Sequence, residues 1–160
     1  MTPYLFYILA LCGTLEHNRS LHDPPEEAFN ICVEIASTAI EQNLDPFILV
    51  SLGYHESRMN MDAVSSCGAL GPLQILPQYH CYSYTDDCER IEPVPVSECD
   101  LILSGVCAYK RYYRRNAGEH TATIAHYNGG GRYGQSSVQY AAAVVRTAES
   151  LRRLMYIPYY

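Results

Sequence analysis

The stretch that decides the fold is "DPFILVSLGYHESRMN", residues 45–60. Asp45 can accept a hydrogen bond from the first turn of a helix, and Pro46 suits the first helical position. The apolar residues that follow predict a buried helix. An imidazole and a carboxyl, His55 and Glu56, arrive at the end of this apolar run. The segment therefore predicts a core helix, and the role of the acid near the end of that helix needs an explanation.

Glu56 shares one helical stripe with three apolar residues, Ile48, Leu52 and Met59. A carboxyl on such a stripe loses hydration unless it is paired, and this raises its pKa toward neutrality. A protonated acid of this kind can give its proton to a leaving oxygen, as glycoside cleavage requires. The alternative is a structural salt bridge, in which Arg58 or another arginine holds Glu56 ionised.

Other chemistries lack support in the sequence. "HESRM" resembles the zinc-protease pattern H-E-x-x-H, but Met59 stands where the second histidine is needed. "GGGRYG" at 129–134 fits the dinucleotide-binding pattern formally, yet it follows a helical segment and no parallel strands surround it. No G-x-S-x-G motif occurs, so a serine hydrolase is not indicated. We expect neither a metal nor an organic cofactor.

Length and composition predict one globular domain with its own core. The chain has 160 residues, 48% of them hydrophobic and 18% charged, with a formal net charge of −6. That charge repels polyphosphates and argues against nucleic acid as a partner. One basic stretch, "KRYYRR" at 110–115, is interpreted as the solvated face of a helix.

The N-terminal stretch "PYLFYILALCG" is apolar but too short to span a bilayer as an ordinary helix. It resembles the hydrophobic part of a secretory signal, and "LALC" resembles a lipoprotein box. A buried N-terminal segment is the alternative. We predict a signal-like segment over 1–22 and one folded domain over 23–160.

The cysteine content favours an exported protein with disulfides. The chain has seven cysteines, of which Cys12 lies in the signal-like stretch. An even number remains once it is set aside, as in many secreted disulfide frameworks, and the sequence does not choose among the pairings. Zinc is the weaker alternative because no C-x-x-C pair occurs. The six are Cys32, Cys67, Cys81, Cys88, Cys99 and Cys107.

The fold class is predicted as mainly α, without strands of any length. Helical periodicity and capping residues indicate the helix in 45–60, which should run to about Met59, and four more. Ser97 and Asp100 are the expected capping box of the helix over 98–116. The polar, cysteine-rich stretch 78–98 is expected to be an irregular excursion pinned by disulfides. The four further helices are 23–42, 98–116, 120–127 and about 136–154.

Four blocks in order resemble one known family. They are Glu56-Ser57, "SSCGALGPLQILP" at 65–77, "AHYNGGG" at 125–131, and Tyr140. Together they are similar to the soluble lytic transglycosylase domain, a goose-lysozyme-like family that cleaves bacterial peptidoglycan. The resemblance covers roughly residues 27 to 150, and the stretch 78–98 matches nothing in it. It implies a lysozyme-like single domain.

The resemblance also implies a role for each matching residue. Glu56 matches the single catalytic acid/base of the family, and five residues match positions that line the substrate cleft. Pro72 and Leu73 replace the middle pair of the family's "G-L-M-Q" block, and His126 and Ser136 depart from its other blocks. These departures bear on subsite detail more than on the chemistry. The five cleft residues are Ser57, Gln74, Tyr127, Asn128 and Tyr140.

The implied reaction joins the muramoyl C6 hydroxyl to C1, so that one carboxyl acts first as acid and then as base. A hydrolytic lysozyme on the same fold is the alternative, and it would need a second carboxylate from Asp62, Asp86 or Asp87. An inactive wall-binding relative is a third hypothesis. We expect export to the periplasm or cell envelope, with glycan strands as partner. The setting fits a secretion or conjugation apparatus, or a phage particle that acts on the wall.

Overall fold

A computed structural model describes residues 3–17 and 25–155, and these residues are mainly helical. The prediction of a mainly α chain is therefore confirmed. Two short strands form one antiparallel hairpin, β1 (Tyr82–Tyr84) and β2 (Arg90–Pro93). Single turns of 3-10 helix lie at Val96–Glu98 and Gly130–Arg132. The helices are α1 (Pro3–His17), α2 (Pro25–Glu41), α3 (Pro46–Ser57), α4 (Pro77–His80), α5 (Leu101–Arg115), α6 (His120–Gly129) and α7 (Gln135–Met155).

Helix α3 is the centre of the fold. It packs against α2 on one side and α7 on another, while α1 contacts both of those helices. Every residue from Phe47 to Gly53 is buried. A helix that is buried on every side is apolar on every side, and the sequence of α3 has this character. The residues after Gly53 emerge at the end of α3, and Glu56 is among them.

The ends of α3 follow local chemistry. The Asp45 carboxylate accepts a hydrogen bond from the Phe47 amide at 2.9 Å, and Pro46 is the first helical residue. This predicted start is confirmed. The helix ends two residues earlier than expected, because Arg58 and Met59 adopt left-handed backbone with φ of 58° and 63°. This turn brings the Met59 side chain into the core.

The start of α5 differs from the expected capping box. Ser97 lies in a 3-10 turn, and Asp100 itself is the N-cap, accepting from the Leu103 amide at 2.9 Å. The cap is three residues later than predicted because Cys99 remains extended before the helix. On α7, Ala141, Val144, Ala148 and Leu151 are buried, whereas Val138 is 43% exposed.

The stretch 78–98 contains the hairpin, so the expectation of no strands is wrong. In the hairpin Tyr84 pairs with Arg90, and a bulge interrupts the register. Disulfides hold the stretch at both ends. This agrees with the predicted presence of disulfides there, although the sequence did not indicate their pairing. Cys81 pairs with Cys99, and Cys88 pairs with Cys107 of α5. Strands this short have little stability alone. The hairpin is therefore stabilised by the two disulfides, which link it to α5 and to the residues just before α5.

The predicted set of six paired cysteines is wrong in one member, Cys67, and omits Cys12. Cys12 of α1 pairs with Cys32 of α2, and Cys67 is an exposed free cysteine. The pairing follows from the packing of α1 against α2, where Leu11 and Cys12 join the core. The predicted boundary between residues 22 and 23 lies outside the described residues. Three disulfides indicate an oxidising environment.

The basic stretch 110–115 is not simply a solvated face. Lys110 is only 8% exposed, donates to Gln42 at 2.9 Å and forms an ion pair with Asp87 at 2.6 Å. Arg114 binds Asp87 as well, at 2.7 Å. These contacts tie α5 to the hairpin and to the end of α2. Within 3–17 and 25–155, no helix combines the length and apolar character needed to cross a bilayer.

Candidate active site

Glu56 lies in the last turn of α3 and is half-buried. Its Oε1 accepts a hydrogen bond from the Tyr140 hydroxyl of α7 at 2.6 Å. Burial raises the pKa of Glu56 to about 6, and the Tyr140 hydrogen bond opposes that rise because it stabilises the carboxylate. This carboxyl therefore stays partly protonated closer to neutral pH than an ordinary glutamate does, and the direction of the shift is the one that the apolar stripe predicts.

The salt bridge that would hold Glu56 ionised does not form in the part of the chain that is described. Arg58, the nearest arginine in sequence, places its guanidinium 4.0 Å from the centroid of the Tyr54 ring. Neither an arginine nor another carboxylate contributes to the pKa shift of Glu56. The site is a single carboxyl whose proton affinity is set by burial and one phenol.

Ser57 connects the end of α3 to the loop that follows. Its hydroxyl donates to the Pro72 carbonyl at 3.0 Å and accepts from the Asn60 amide at 3.0 Å. These bonds fix the loop residues 60–72 beside Glu56. The hydroxyl is thus engaged with backbone in this structure.

Gln74 lies in the same loop region, in left-handed backbone with φ of 47°. Its side-chain amide donates to the Ala63 carbonyl at 3.2 Å and to the Gly71 carbonyl at 3.0 Å. Both donors of the amide are therefore used to hold the loop. Its Oε1 accepts no hydrogen bond from the described residues and remains open to a ligand.

Tyr127 of α6 approaches Glu56 from another side. Its hydroxyl donates to the Leu73 carbonyl at 2.6 Å. Burial raises its pKa well above the ordinary value, and the charge of Glu56 adds to the rise. Tyr127 and Glu56 are therefore within electrostatic reach of each other. Asn128, the next residue, is exposed.

His55 is the residue whose role the sequence did not indicate. Its Nε2 shares a hydrogen bond of 2.8 Å with the Thr147 hydroxyl, and its ring lies edge-on to Tyr140 with centroids 6.1 Å apart. Burial lowers its pKa, and the charges of Arg58 and Arg146 lower it further. A neutral imidazole thus packs behind the phenol that binds Glu56. The only indication of this role in the sequence was the position of His55 next to Glu56.

The three candidate second carboxylates lie in exposed positions. Asp87 is committed to ion pairs with Lys110 and Arg114. Asp86 accepts at its carbonyl from the Gln42 side chain, and Asp62 donates its amide to Asn60. Across the described ranges, no group of three His, Cys, Asp or Glu side chains could hold a metal ion.

The fold and the site together define a mainly helical, disulfide-bonded protein in which a carboxyl of raised pKa, Glu56, is bound by the half-buried Tyr140 and lies within electrostatic reach of the half-buried Tyr127. No model of a known protein family matches this chain, and no curated protein sequence matches it either.

Proposed function

We propose that this protein is a peptidoglycan lytic transglycosylase with a lysozyme-like fold. It cleaves the β-1,4 bond between N-acetylmuramic acid and N-acetylglucosamine and leaves a 1,6-anhydro ring on the muramoyl sugar. The observation that carries the proposal is the Glu56 carboxyl, with a pKa of about 6 and Tyr140 as its hydrogen-bond partner. The resemblance of four sequence blocks to that family supplies the substrate class.

The first step is acid catalysis. Protonated Glu56 donates to the glycosidic oxygen, and the bond from that oxygen to C1 breaks. Positive charge develops at C1 and on the ring oxygen. An acid with a pKa near 6 suits this step because it is still partly protonated at neutral pH and yet releases its proton readily.

The second step is base catalysis by the same group. The Glu56 carboxylate takes the proton from the muramoyl C6 hydroxyl while that oxygen bonds to C1. The proton count closes, since Glu56 ends the cycle protonated and no water enters the product. Because the nucleophile belongs to the substrate, a second carboxylate to activate water is unnecessary.

The surrounding residues have supporting roles in this proposal. Tyr140 holds the Glu56 carboxylate in one orientation through the 2.6 Å hydrogen bond. Tyr127 fixes the Leu73 carbonyl and, with it, the loop that carries Gln74. The open Oε1 of Gln74 and the exposed amide of Asn128 are available to hydrogen-bond the N-acetyl sugars. Ser57 keeps the loop against α3.

The masses of the products test the proposal. Purified protein is incubated with peptidoglycan, and released muropeptides are separated and weighed. Anhydro-muropeptides, one water lighter than hydrolytic products, are the expected result. Reducing muropeptides would instead indicate a lysozyme, and no release at all would indicate a wall-binding relative. Either of those results contradicts the proposal.

Two variants link the activity to the site. Glu56→Gln should lower the rate by about 100-fold or more, since that is the lower range for a lost acid/base group. Glu41→Gln is the matched control, because Glu41 is an exposed carboxylate at the end of α2 and its replacement should leave the rate unchanged. Full activity in Glu56→Gln would show that the acid has been assigned to the wrong residue.

We further propose export to the cell envelope, with glycan strands as the partner. The three disulfides support an oxidising compartment. Association with a secretion or conjugation apparatus, or with a phage particle, remains a prediction from the sequence alone.

A further inference from the structure

Arg90 of the hairpin and Arg111 of α5 contact two consecutive residues, Tyr79 and His80. The Arg111 guanidinium of α5 lies 3.3 Å from Nδ1 of His80. Arg90 of β2 places its guanidinium 4.3 Å from the centroid of the Tyr82 ring and donates to the Tyr79 carbonyl. Arg111 is half-buried and Arg90 is exposed, so the pair is reachable from solvent.

The positive charge of this pair is not compensated. Among the residues that the structure describes, neither Arg90 nor Arg111 forms an ion pair with a carboxylate, whereas Lys110 and Arg114 of the same helix both bind Asp87. Burial and the charge of Arg90 lower the pKa of Arg111. A protein with a net charge of −6 therefore keeps two guanidinium groups close together without an acid.

The His80 imidazole near Arg90 and Arg111 is neither an anion nor a third cation. Burial lowers the pKa of His80 to about 4, and the charges of Arg111 and Arg90 contribute to the shift. His80 is therefore neutral near pH 7, and its Nδ1 can accept from Arg111. The Tyr84 hydroxyl donates to the His80 carbonyl at 2.6 Å and fixes this part of the hairpin.

A row of tyrosines connects the arginine pair to Glu56. The Tyr112 ring, next to Arg111 on α5, lies edge-on to the Tyr127 ring with centroids 6.3 Å apart. Tyr84 and Tyr112 both contribute electrostatically to the raised pKa of Tyr127, as Glu56 does. Tyr112, the neighbour of Arg111, and Glu56 thus both lie within electrostatic reach of Tyr127.

We propose that Arg90 and Arg111 form a subsite for the carboxylates of the stem peptide that extends from the muramoyl sugar. The inference rests on the proposed function, because the substrate carries that peptide beside the bond to be cleaved. Guanidinium groups bind carboxylates through two parallel hydrogen bonds, and a carboxylate between two arginines would relieve their mutual repulsion. The hairpin, which lies outside the family resemblance, would then give this chain a preference for peptide-bearing strands.

Calorimetric binding tests the subsite with the wild-type protein. The probe is N-acetylmuramoyl-L-alanyl-D-glutamate, which has no glycosidic bond to cleave. The same compound with both carboxyls amidated and inorganic phosphate are the comparison ligands. We expect the carboxylate form to bind about tenfold more tightly than either of them, on the basis of the strength of charge-assisted bonds. Equal affinity for the amide, or no binding of the probe, would overturn the inference. Equal affinity for phosphate would mean a general anion site and would overturn the assignment to the peptide.

Charge variants locate the subsite. Arg90→Gln and Arg111→Gln should each weaken probe binding about tenfold, and Arg90→Lys should restore part of it because it keeps charge without the bidentate geometry. Arg115→Gln, an exposed arginine later on α5, is the control and should bind as the wild type does. Circular dichroism checks the fold of the half-buried Arg111 variant. Unchanged binding in Arg90→Gln would contradict the proposal, because Arg90 is exposed and its loss should leave the fold intact.

Activity on two substrates separates this inference from the proposed function. Arg90→Gln should lower kcat/KM on peptide-bearing glycan strands and leave it unchanged on strands stripped of their peptides. If the wild type cleaves both substrates and the variants keep the same ratio between them, the subsite is wrong and the function stands. If no strand is cleaved while probe binding still depends on Arg90, the subsite stands and the catalytic proposal is wrong.

Discussion

At the scale of single residues, the pKa of Glu56 results from two opposing influences. Burial in the last turn of α3 disfavours the carboxylate, while the hydroxyl of Tyr140 stabilises it. The balance leaves the pKa at about 6, above the ordinary value of 4.5. The buried charge and the hydrogen bond can each be removed by a mutation, and the direction of each effect can be predicted.

The first prediction is that Glu56→Gln stabilises the fold above pH 6. The native pKa is higher than the unfolded one, so the wild type loses stability as pH rises from about 4.5 through 6 and the buried group ionises. The loss should be about 2 kcal/mol, from a shift of about 1.5 units. The Glu56→Gln variant should not show this loss of stability. Urea unfolding at pH 4 and pH 7.5 measures how much stability the variant gains relative to the wild type.

The control for this comparison is Glu92→Gln. Glu92 is exposed on β2, and its replacement should change the free energy of unfolding equally little at both pH values. A variant at position 56 that is less stable than the wild type at pH 7.5 would show that Glu56 makes a stabilising ion pair instead.

The second prediction concerns Tyr140→Phe. Its hydroxyl favours the carboxylate form of Glu56, so its removal should raise the pKa of Glu56 above about 6. Since catalysis begins with the protonated acid, the falling limb of the pH–rate profile should move to higher pH, while the overall rate falls. A limb that moves to lower pH would contradict the predicted sign.

At the scale of elements, α5 approaches the loop that carries Gln74 so closely that it needs a glycine. A Cβ atom at Gly105 would lie 2.6 Å from the Leu73 side chain. Leu73 is fully buried, and its carbonyl accepts from Tyr127. The contact between the α5 backbone and the Leu73 side chain therefore helps to set the position of Tyr127.

The third prediction is that Gly105→Ala destabilises the protein and disturbs the site. The clash should cost about 1–3 kcal/mol, as overpacking of a core does, and it should lower activity by displacing Leu73. Thermal unfolding and activity assays measure the two effects. Gly13→Ala is the control: it lies in a helix with no atom near the added Cβ, and it should be neutral or stabilising. Equal stability of the two variants would contradict the close approach.

Elements differed in how well local sequence predicted them. The start of α3 was predictable because Asp45 and Pro46 act within one turn of the chain. The hairpin was missed because β1 and β2 have three and four residues and no clear alternation. Such strands depend on distant contacts, here the disulfide to Cys107 and the ion pairs of Asp87 with α5.

At the scale of the whole molecule, three disulfides join separate parts of the fold. One links α1 to α2, one closes the hairpin region, and one links that region to α5. The sequence separations of the paired cysteines are 20, 18 and 19. Each loop closure of this size is worth about 3 kcal/mol in the chain-entropy model.

The fourth prediction is that one thiol per chain reacts under native, non-reducing conditions. Iodoacetamide should modify Cys67 alone, because the other six cysteines are paired. Cys12→Ser should leave a second free thiol at Cys32, which is 1% exposed and should be labelled only after unfolding, and it should lower stability by about 3 kcal/mol. Peptide mass spectrometry identifies the labelled positions, and Cys67→Ser is the control that should take up no label. Labelling of any other cysteine in the wild type would contradict the pairing.

The sequence by itself determined the mainly α class, the core helix α3 and the unusual environment of Glu56. Each of these depends on residues within a few turns of one another, so periodicity and caps are sufficient to predict them. The tertiary structure decided the partner of each cysteine, the hairpin, and the contacts of Glu56 with Tyr140 and of His55 with Thr147. Those contacts join residues more than 80 positions apart, and their geometry depends on how α3 and α7 pack, which local sequence does not specify.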